Sequence, residues 1–414
     1  MNNNVSAEEG SIFPIGKVWK TIDQKFVKVP PDGLLAHFFL ALVGTAGILY
    51  INIIPVLIGG LVDELAFSKQ QAGYVASANL YGASLGAFLA VFLVRRVSWQ
   101  KLVSCMLVVL IAFDTVSALL TSAEPLMVFR FFAGVVGGII TGTGFSVIAR
   151  TSHADRGFGF LMVVQYLLGG VGMLLLPGVV DRFGHEVLFY TLAAFSCITL
   201  ITMPFHERDA TIHSSDSSVA SQSLLSLLKV PTVILTMLAI IFFQSSIMGL
   251  FTYLERMGIF HDLSRDWVGL SLAMSSWVGI PCSILMIYLA TRFTRKYPLF
   301  ISIAVAYLGL VLCYFSSSAV YYFVACILVG GTWGIALAYL FGLSAELDKT
   351  GQLAVVASIS SKLGLASGPL VSATIIANNN YDDVITLAII GITASVLLML
   401  YPVFLLDSKN KPAH

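Results

Sequence analysis

The chain alternates long apolar runs with short polar connections. Six runs precede a serine-rich polar stretch, at residues 34–58, 71–94, 101–121, 125–149, 157–179 and 187–205. Six more follow it, at residues 230–256, 266–291, 297–317, 320–344, 354–377 and 384–406. An α-helix of about 20 apolar residues is long enough to cross a bilayer. The pattern therefore predicts an all-α membrane protein with twelve transmembrane helices.

The two sets of runs are copies of each other. Adding 196 to a position in the first set gives a matching residue in the second. The matched pairs are Ser68 and Ser264, Gly73 and Gly269, Tyr81 and Trp277, Arg96 and Arg292, Ser98 and Thr294, Gly134 and Gly330, and Gly138 and Gly334. One register held across so many helices indicates a duplication. We expect two pseudo-symmetric six-helix bundles, residues 34–205 and 230–406, joined by a cytoplasmic linker at residues 206–229.

The ends of the chain are polar. Residues 1–33 begin with an acidic tail and lack the basic start of a signal peptide, so we expect no cleavage. Apolar residues at helical spacing among lysines, from Ile15 to Phe26, are typical of a short helix on an anionic membrane surface. A frayed tail is the alternative. Residues 407–414 form a second polar tail.

Lysine and arginine are distributed unevenly between the loops. Seventeen lie on the side of the N-terminus, and four lie on the opposite side. Because positive charge is enriched in cytoplasmic loops, this distribution predicts that both termini are cytoplasmic. We expect an integral protein of a bacterial-type cytoplasmic (inner) membrane.

Composition and motifs narrow the function. The chain is 57% hydrophobic and 11% charged, with a net charge of +1. There is no excess of basic residues that would predict binding to nucleic acid. The five cysteines lie in apolar runs without close pairs or nearby histidines, so we expect neither disulfides nor a metal site. The polar segments contain no phosphate-cradling loop or nucleophile elbow, so we expect no cofactor and no enzyme.

The organisation resembles the major facilitator superfamily of secondary transporters over nearly the whole chain. In that family the loop between the second and third helices carries a Gly-x-x-x-Asp-Arg-x-Gly-Arg-Lys signature. The first copy here, VFLVRRVSWQK, lacks the glycine and the acid, and the second, IYLATRFTRKYPL, has Thr291 at the place of the acid. The basic residues of these expected gating loops are Arg95, Arg96, Arg292, Arg295 and Lys296.

Other motifs resemble the drug:proton antiporter branch of this family. RFFAGVVGG, at Arg130 to Gly138, is similar to the fourth-helix motif of proton-coupled members. GGVGMLLLPG in the fifth span and GLASGP in the eleventh are similar to the glycine-proline motif of exporters. Small residues spaced by four make a flat helix face, which serves either sliding at the interface between the halves or tight packing alone. The resemblance implies alternating access and slightly favours efflux.

Two charges lie within the third and fourth spans, Asp114 and Arg130. Each costs about 2.5–3.5 kcal/mol near a helix centre on insertion scales, so each needs a partner or water. The two lie at similar depth on consecutive antiparallel helices, and we expect them to pair. The pair is either a protonation switch, in which a proton on Asp114 frees Arg130, or a permanent ion pair that fixes helix register.

Two more charges lie in the second half. Glu255, near the end of the seventh span, is interpreted as a second proton carrier or a contact for a substrate amine, with a water-facing interfacial position as the alternative. Lys362, inside the eleventh span, is predicted to bind a substrate carboxylate or phosphate. The alternative for Lys362 is an ion pair with Glu346.

Polar and aromatic residues near the middle of the spans predict a substrate cavity between the halves. Besides Lys362, they are Tyr50, Asn52, Asn79, Tyr81, Gln165, Gln244, Trp277 and Trp333. Each aromatic residue taken alone is more often a packing residue. Together they favour a solute with an apolar or aromatic body and a few hydrogen-bonding groups.

The sequence thus predicts a monomeric, proton-coupled secondary transporter of a small organic solute, amphipathic or anionic, with efflux slightly favoured. Its expected partners are the solute, protons and the lipid bilayer. Uptake of an organic acid, supported by Lys362 and Arg130, is the closest alternative. A non-transporting membrane sensor on the same fold is the third.

Overall fold

The computed structural model describes residues 28–30, 33–94, 96–206, 230–292, 296–347, 352–376 and 380–409. In the first half the helices are Leu34–Ala46, Leu49–Asn52, Ile54–Leu65, Lys69–Leu93, Trp99–Ala118, Ala123–Ile148, Ala154–Phe183 and Glu186–Thr202. In the second half they are Pro231–Phe260, Arg265–Trp277, Gly279–Arg292, Lys296–Cys313, Ala319–Leu347, Gln352–Ile375 and Tyr381–Lys409. The described residues form no strands, and the expected helical architecture with two six-span halves is confirmed.

The first span is longer than predicted and is broken. It contains the three helices between residues 34 and 65, instead of one helix that ends at residue 58. At the first break Gly47 lies against the backbone of the fourth span, where an added Cβ would stand 2.1 Å from the carbonyl oxygen of Gly137. The last helix has Pro55 in its first turn, where proline costs no hydrogen bond. The breaks lie at mid-depth, close to the predicted cavity residues.

The seventh and eighth spans also differ from the prediction. The seventh helix continues to Phe260, so Glu255 and Arg256 lie inside it. The predicted end of this span at residue 256 is therefore four residues too early. The charge of Arg256 is compensated by contacts described below, which allows it to lie inside a helix that continues through Met257, Ile259 and Phe260. The eighth span is interrupted at Val278.

The duplication is visible in the packing. The second and eighth spans begin 196 residues apart, at Lys69 and Arg265. In the first half a Cβ added to Gly134 would lie 2.0 Å from the carbonyl oxygen of Asn79. In the second half a Cβ added to Gly330 would lie 2.3 Å from that of Ser275, at the equivalent place. Gly134 and Gly330 therefore join spans within a half and do not lie at the interface between halves, where sliding was one interpretation.

The surface of the spans is apolar. Nine helices of the described chain are long and apolar enough to cross a membrane. Large apolar side chains on them are exposed, among them Phe88 at 47%, Leu175 at 57% and Leu397 at 64%. Continuous apolar surface of this kind is unfavourable in water and favourable against lipid chains. The protein is an integral membrane protein.

The two ends of the spans are named here by their residues. The terminal side holds residues 28–34 and 202–206, and the far side holds residues 65–69 and 260–265. On the terminal side Lys28 donates from Nζ to the carbonyl oxygen of Pro204 at 2.9 Å, and His206 lies edge-on to Trp99. Burial and the charge of Lys28 lower the pKa of His206 to about 4, so this residue is neutral at pH 7.

Candidate functional site

Asp114 and Arg130 form a buried ion pair inside the first half. Nη1 of Arg130 donates to Oδ1 of Asp114 at 2.6 Å and lies 3.4 Å from Oγ of Ser117. Each charged residue is 1% exposed. Asn79 donates from its amide to the backbone oxygen of Arg130 at 3.0 Å, which ties the second span to the fourth. The expected pairing is present, and its role in proton coupling stays a prediction.

Two aromatic rings cover the guanidinium of Arg130. Its Cζ lies 4.7 Å from the ring centre of Tyr50 and 5.5 Å from that of Phe189. Tyr50 belongs to the short middle helix of the first span, and Phe189 belongs to the sixth span. Tyr50, expected in the substrate cavity, is 5% exposed and packs on Arg130 in this conformation.

The second half has no charge at the equivalent positions. Leu310 stands 196 residues after Asp114, and Cys326 stands 196 residues after Arg130. Both are fully buried, at 0% exposure. The same bundle is therefore packed once around an ion pair and once around apolar side chains.

Glu255 is buried, so the water-facing alternative is wrong. It is 4% exposed, and its Oε2 accepts from Nε of Arg256 at 2.6 Å. A Cβ added to Gly59 in the first span would lie 2.8 Å from the same carboxylate. The carboxylate thus packs on the backbone of the other half because the first span has a glycine there.

Arg256 and Arg265 form ion pairs between the two halves on the far side. The guanidinium of Arg256 binds Asp63 with two hydrogen bonds, of 2.6 and 2.9 Å. Arg265 donates to Asp63 at 2.8 Å and lies 3.3 Å from Asp181. Asp63 and Asp181 belong to the first half and both arginines to the second, so these contacts close the halves against each other. We call these residues, with Glu255, the far-side ion cluster.

A second far-side contact contains aromatic rings. Nζ of Lys69 lies 4.3 Å from the ring centre of Tyr381 and 5.7 Å from that of Phe260. The hydroxyl of Tyr253 donates to the backbone oxygen of Lys69 at 3.0 Å. Lys69 begins the second span, and the three aromatic residues belong to the second half.

At mid-depth, the second span meets the eleventh. Oγ of Ser77 donates to the backbone oxygen of Ala366 at 2.5 Å, and the hydroxyl of Tyr81 lies 2.9 Å from Oγ of Ser367. Tyr81, one of the predicted cavity residues, therefore lies at the interface between halves.

The fifth and eighth spans also meet at mid-depth. The indole of Trp277 donates to the backbone oxygen of Leu167 at 3.3 Å and fills the space left by Gly170. Asn52 donates to the backbone oxygen of Gln165 at 3.3 Å. Three more predicted cavity residues, Asn52, Gln165 and Trp277, thus lie close to this interface.

A polar cluster in the second half includes Ser361, the residue before Lys362. The amide of Gln244 donates to Oγ of Ser361 at 2.8 Å and accepts from the indole of Trp333 at 2.6 Å. The Trp333 ring also packs on Phe251, with 6.3 Å between the two ring centres. Lys362 follows Ser361, is partly exposed, and has no hydrogen-bond or ion-pair partner within the described residues. The side chain of Glu346, its alternative partner, lies outside the described part.

The expected gating loops are described only in part. Arg96 is exposed at the turn after the second span. Arg95 and Arg295 lie outside the described residues, as do the side chains of Arg292 and Lys296. The expected N-terminal surface helix, most of the linker after His206 and the last residues of the C-terminal tail lie outside them as well.

Sequence reasoning did not identify most of the contacts between halves. The missed residues between halves are Asp63, Lys69, Asp181, Tyr253, Arg256, Arg265 and Tyr381. Phe189, which contacts Arg130 within the first half, was also missed. One signal was present: charges of opposite sign lie at the ends of apolar runs on one side of the membrane, at Asp63 and Arg265. Which of these ends meet depends on how the halves pack.

The comparisons with known proteins agree with this architecture. A family model described as Major Facilitator Superfamily matches residues 34–373. No curated protein sequence matches the chain. A solved structure of a D-xylose-proton symporter is 16% identical, covers 88% of this chain and 97% of its own, and has a TM-score of 0.67. A mutant of the nucleoside transporter NupG is 13% identical, covers 90% of this chain and 99% of its own, and has a TM-score of 0.69.

Proposed function

The chain belongs to the major facilitator superfamily and is a secondary transporter rather than an enzyme, and we propose that protons drive it to move a small organic solute by alternating access. The proton would bind Asp114. Arginine stays protonated in proteins, so protonation of Asp114 would remove the counter-charge of Arg130 without neutralising it. The two charge states would favour different arrangements of the halves.

One observation carries this proposal: the buried ion pair is present in only one of two duplicated bundles. Replacing a buried ion pair with apolar residues of similar size is often neutral or stabilising. In the second half the equivalent buried positions hold the uncharged Leu310 and Cys326, the latter much smaller than arginine. This supports a role for Asp114 and Arg130 other than packing, since the bundle is built without them elsewhere in the chain.

The polar cluster next to Lys362 supports an anionic or amphipathic solute. Arg130 is occupied by Asp114. Lys362 is therefore the better candidate for a solute carboxylate or phosphate. Trp333, held by Gln244, would offer an aromatic face to the body of the solute. Glu255 is retained as a second proton-coupling candidate, now as part of the far-side ion cluster.

The distribution of basic residues supports cytoplasmic termini, with the far side outside. The structure would then be a state closed to the outside. We retain bundles at 34–205 and 230–406, and efflux as the direction slightly favoured by the glycine-proline motif of the fifth span. Uptake with protons is the alternative.

The test begins with the solute. Purified protein is screened by thermal unfolding against metabolites and drugs, since a bound compound raises the unfolding temperature. Compounds whose effect is lost in Lys362→Gln are taken forward as anionic solutes. Flux is then measured in vesicles with an imposed proton gradient.

We expect Asp114→Asn to abolish gradient-driven flux while exchange of solute across the membrane continues. The matched control is Asp383→Asn, because Asp383 is an exposed carboxylate at the start of the twelfth span. Driven flux that survives in Asp114→Asn would show that Asp114 is not the proton site. Wild-type flux that ignores the gradient would identify a passive facilitator.

A further inference from the structure

If Asp114 binds the proton, as the proposed function on which this inference rests requires, Arg130 loses the carboxylate that holds it. Its hydrogen bonds are to Asp114 and, more weakly, Ser117, and Nε has no partner. A neutral Asp114 would therefore leave a cation in a site that is 1% exposed. Because a buried cation without compensation is strongly unfavourable, protonation needs another source of stabilisation.

The rings of Tyr50 and Phe189 are placed to stabilise the Arg130 cation. An aromatic face carries negative partial charge and attracts a cation within about 6 Å, most strongly where water is excluded. Both ring centres lie within that distance of Cζ, at 4.7 and 5.5 Å. The hydroxyl of Tyr50 makes no hydrogen bond but lies near the charges of Arg130 and Asp114, so the contributions of ring and hydroxyl are separated by the variants below.

The second half provides an internal control. The residues 196 positions after Tyr50 and Phe189 are Ser246 and Ile385, both buried. Neither is aromatic. The two rings are therefore present in the half that contains the arginine and absent from the equivalent positions of the half that contains Cys326.

We propose that Tyr50 and Phe189 are positioning residues of the proton switch: their rings hold the Arg130 guanidinium while Asp114 carries the proton. In the deprotonated state Asp114 itself holds the guanidinium, so the rings matter less. They therefore favour the protonated state over the ionised one and set the pH at which Asp114 takes up its proton.

Few other groups act on this switch. Within the described residues, the titratable or charged groups that face Arg130 are Asp114 from the third span and Tyr50 from the first. The second span contributes the uncharged amide of Asn79, and the sixth contributes the ring of Phe189. A change of the rings is thus expected to act on one proton equilibrium.

The experiment is an infrared titration of the full chain in liposomes, without solute. The carboxyl band that disappears in Asp114→Asn reports the proton on Asp114. We expect Tyr50→Leu to move its midpoint to lower pH by about one unit, which corresponds to about 1.4 kcal/mol. Tyr50→Phe keeps the ring and is expected to leave the midpoint in place. Phe189→Leu is expected to act in the same direction as Tyr50→Leu, and serves alone if that variant does not fold.

The outcomes separate the two claims. A wild-type band that does not titrate would overturn the proposed proton switch, and this inference with it. A wild-type band that titrates, with the midpoint unmoved in both leucine variants, would overturn this inference alone. A shift in Tyr50→Phe as large as that in Tyr50→Leu would assign the effect to the hydroxyl and would overturn the role of the ring.

Discussion

Lys69 and Arg265 occupy equivalent positions in the two halves, yet they close the far side by different chemistry. Each begins its span, and each reaches into the opposite half. Arg265 contacts the carboxylates of Asp63 and Asp181. Lys69 contacts the faces of Tyr381 and Phe260. The duplication preserved a cation at this position, while the surfaces that receive it diverged.

The far side is therefore held closed by two contacts that differ in chemistry and in strength. The far-side ion cluster depends on paired charges, which salt screens where they are exposed to water. The Lys69 contact depends on aromatic faces and has no carboxylate that a proton could neutralise. Only the first of these contacts can respond directly to protonation of Glu255 or Asp63.

Labelling of one introduced cysteine can measure how both contacts affect opening of the far side. Ser77 is 1% exposed and bonds across the halves to Ala366. In a background without the five native cysteines, Ser77→Cys would react with a maleimide when the far side opens. Ser122→Cys, on an exposed far-side loop, reports reactivity that does not depend on opening.

The largest effect is expected for Arg256→Met, which removes the guanidinium at the centre of the far-side ion cluster. A charge-assisted hydrogen bond is worth about 1.5–3 kcal/mol, so labelling of Ser77→Cys should rise about tenfold or more. Labelling at the wild-type rate would show that the cluster does not hold the far side closed.

A smaller effect is expected for Arg265→Gln. The Arg265 side chain is 40% exposed, and exposed ion pairs contribute about 0.2–1 kcal/mol each. Labelling should rise about fivefold, and raising salt from about 0.1 M to about 1 M should produce a similar rise in the wild type. If salt accelerates labelling equally in Arg265→Gln, the screened contact lies elsewhere.

The smallest effect is expected for Lys69→Gln. A cation over an aromatic face at a partly exposed site contributes about 0.5–1 kcal/mol, so labelling should rise about threefold. Tyr381→Leu should act alike, while the control Tyr381→Phe, which keeps the ring, should not. If Tyr381→Phe raises labelling as much as Tyr381→Leu, the stabilising contact is made by the hydroxyl of Tyr381 and not by its ring.

The sequence predicted what depends on distance along the chain. The twelve runs follow from apolar content, and the offset of 196 follows from matching residues held in one register. The pairing of Asp114 with Arg130 could be predicted because both charges lie inside consecutive spans at similar depth. Few groups near a helix centre can form an ion pair with a buried charge.

The far-side contacts could not be predicted in the same way. Asp63 and Arg256 come from the first and seventh spans, and their meeting depends on how the halves dock. Arg256 is the last residue of its predicted run, because the charges of Glu255 and Arg256 interrupt the apolar pattern before the helix ends at Phe260. The position of Tyr50 at mid-span predicts its depth in the membrane, and on that basis it was assigned to the cavity. The break in the first span determines the direction of its side chain, which points to Arg130.

The close contacts of Gly134 with Asn79 and of Gly330 with Ser275 leave no room for even a methyl group between the paired backbones. Such pairs of spans resist compression, because closely packed interiors have low compressibility. Each half should consequently move largely as one body, so that a displacement around Arg130 also moves the opposite ends of the same spans.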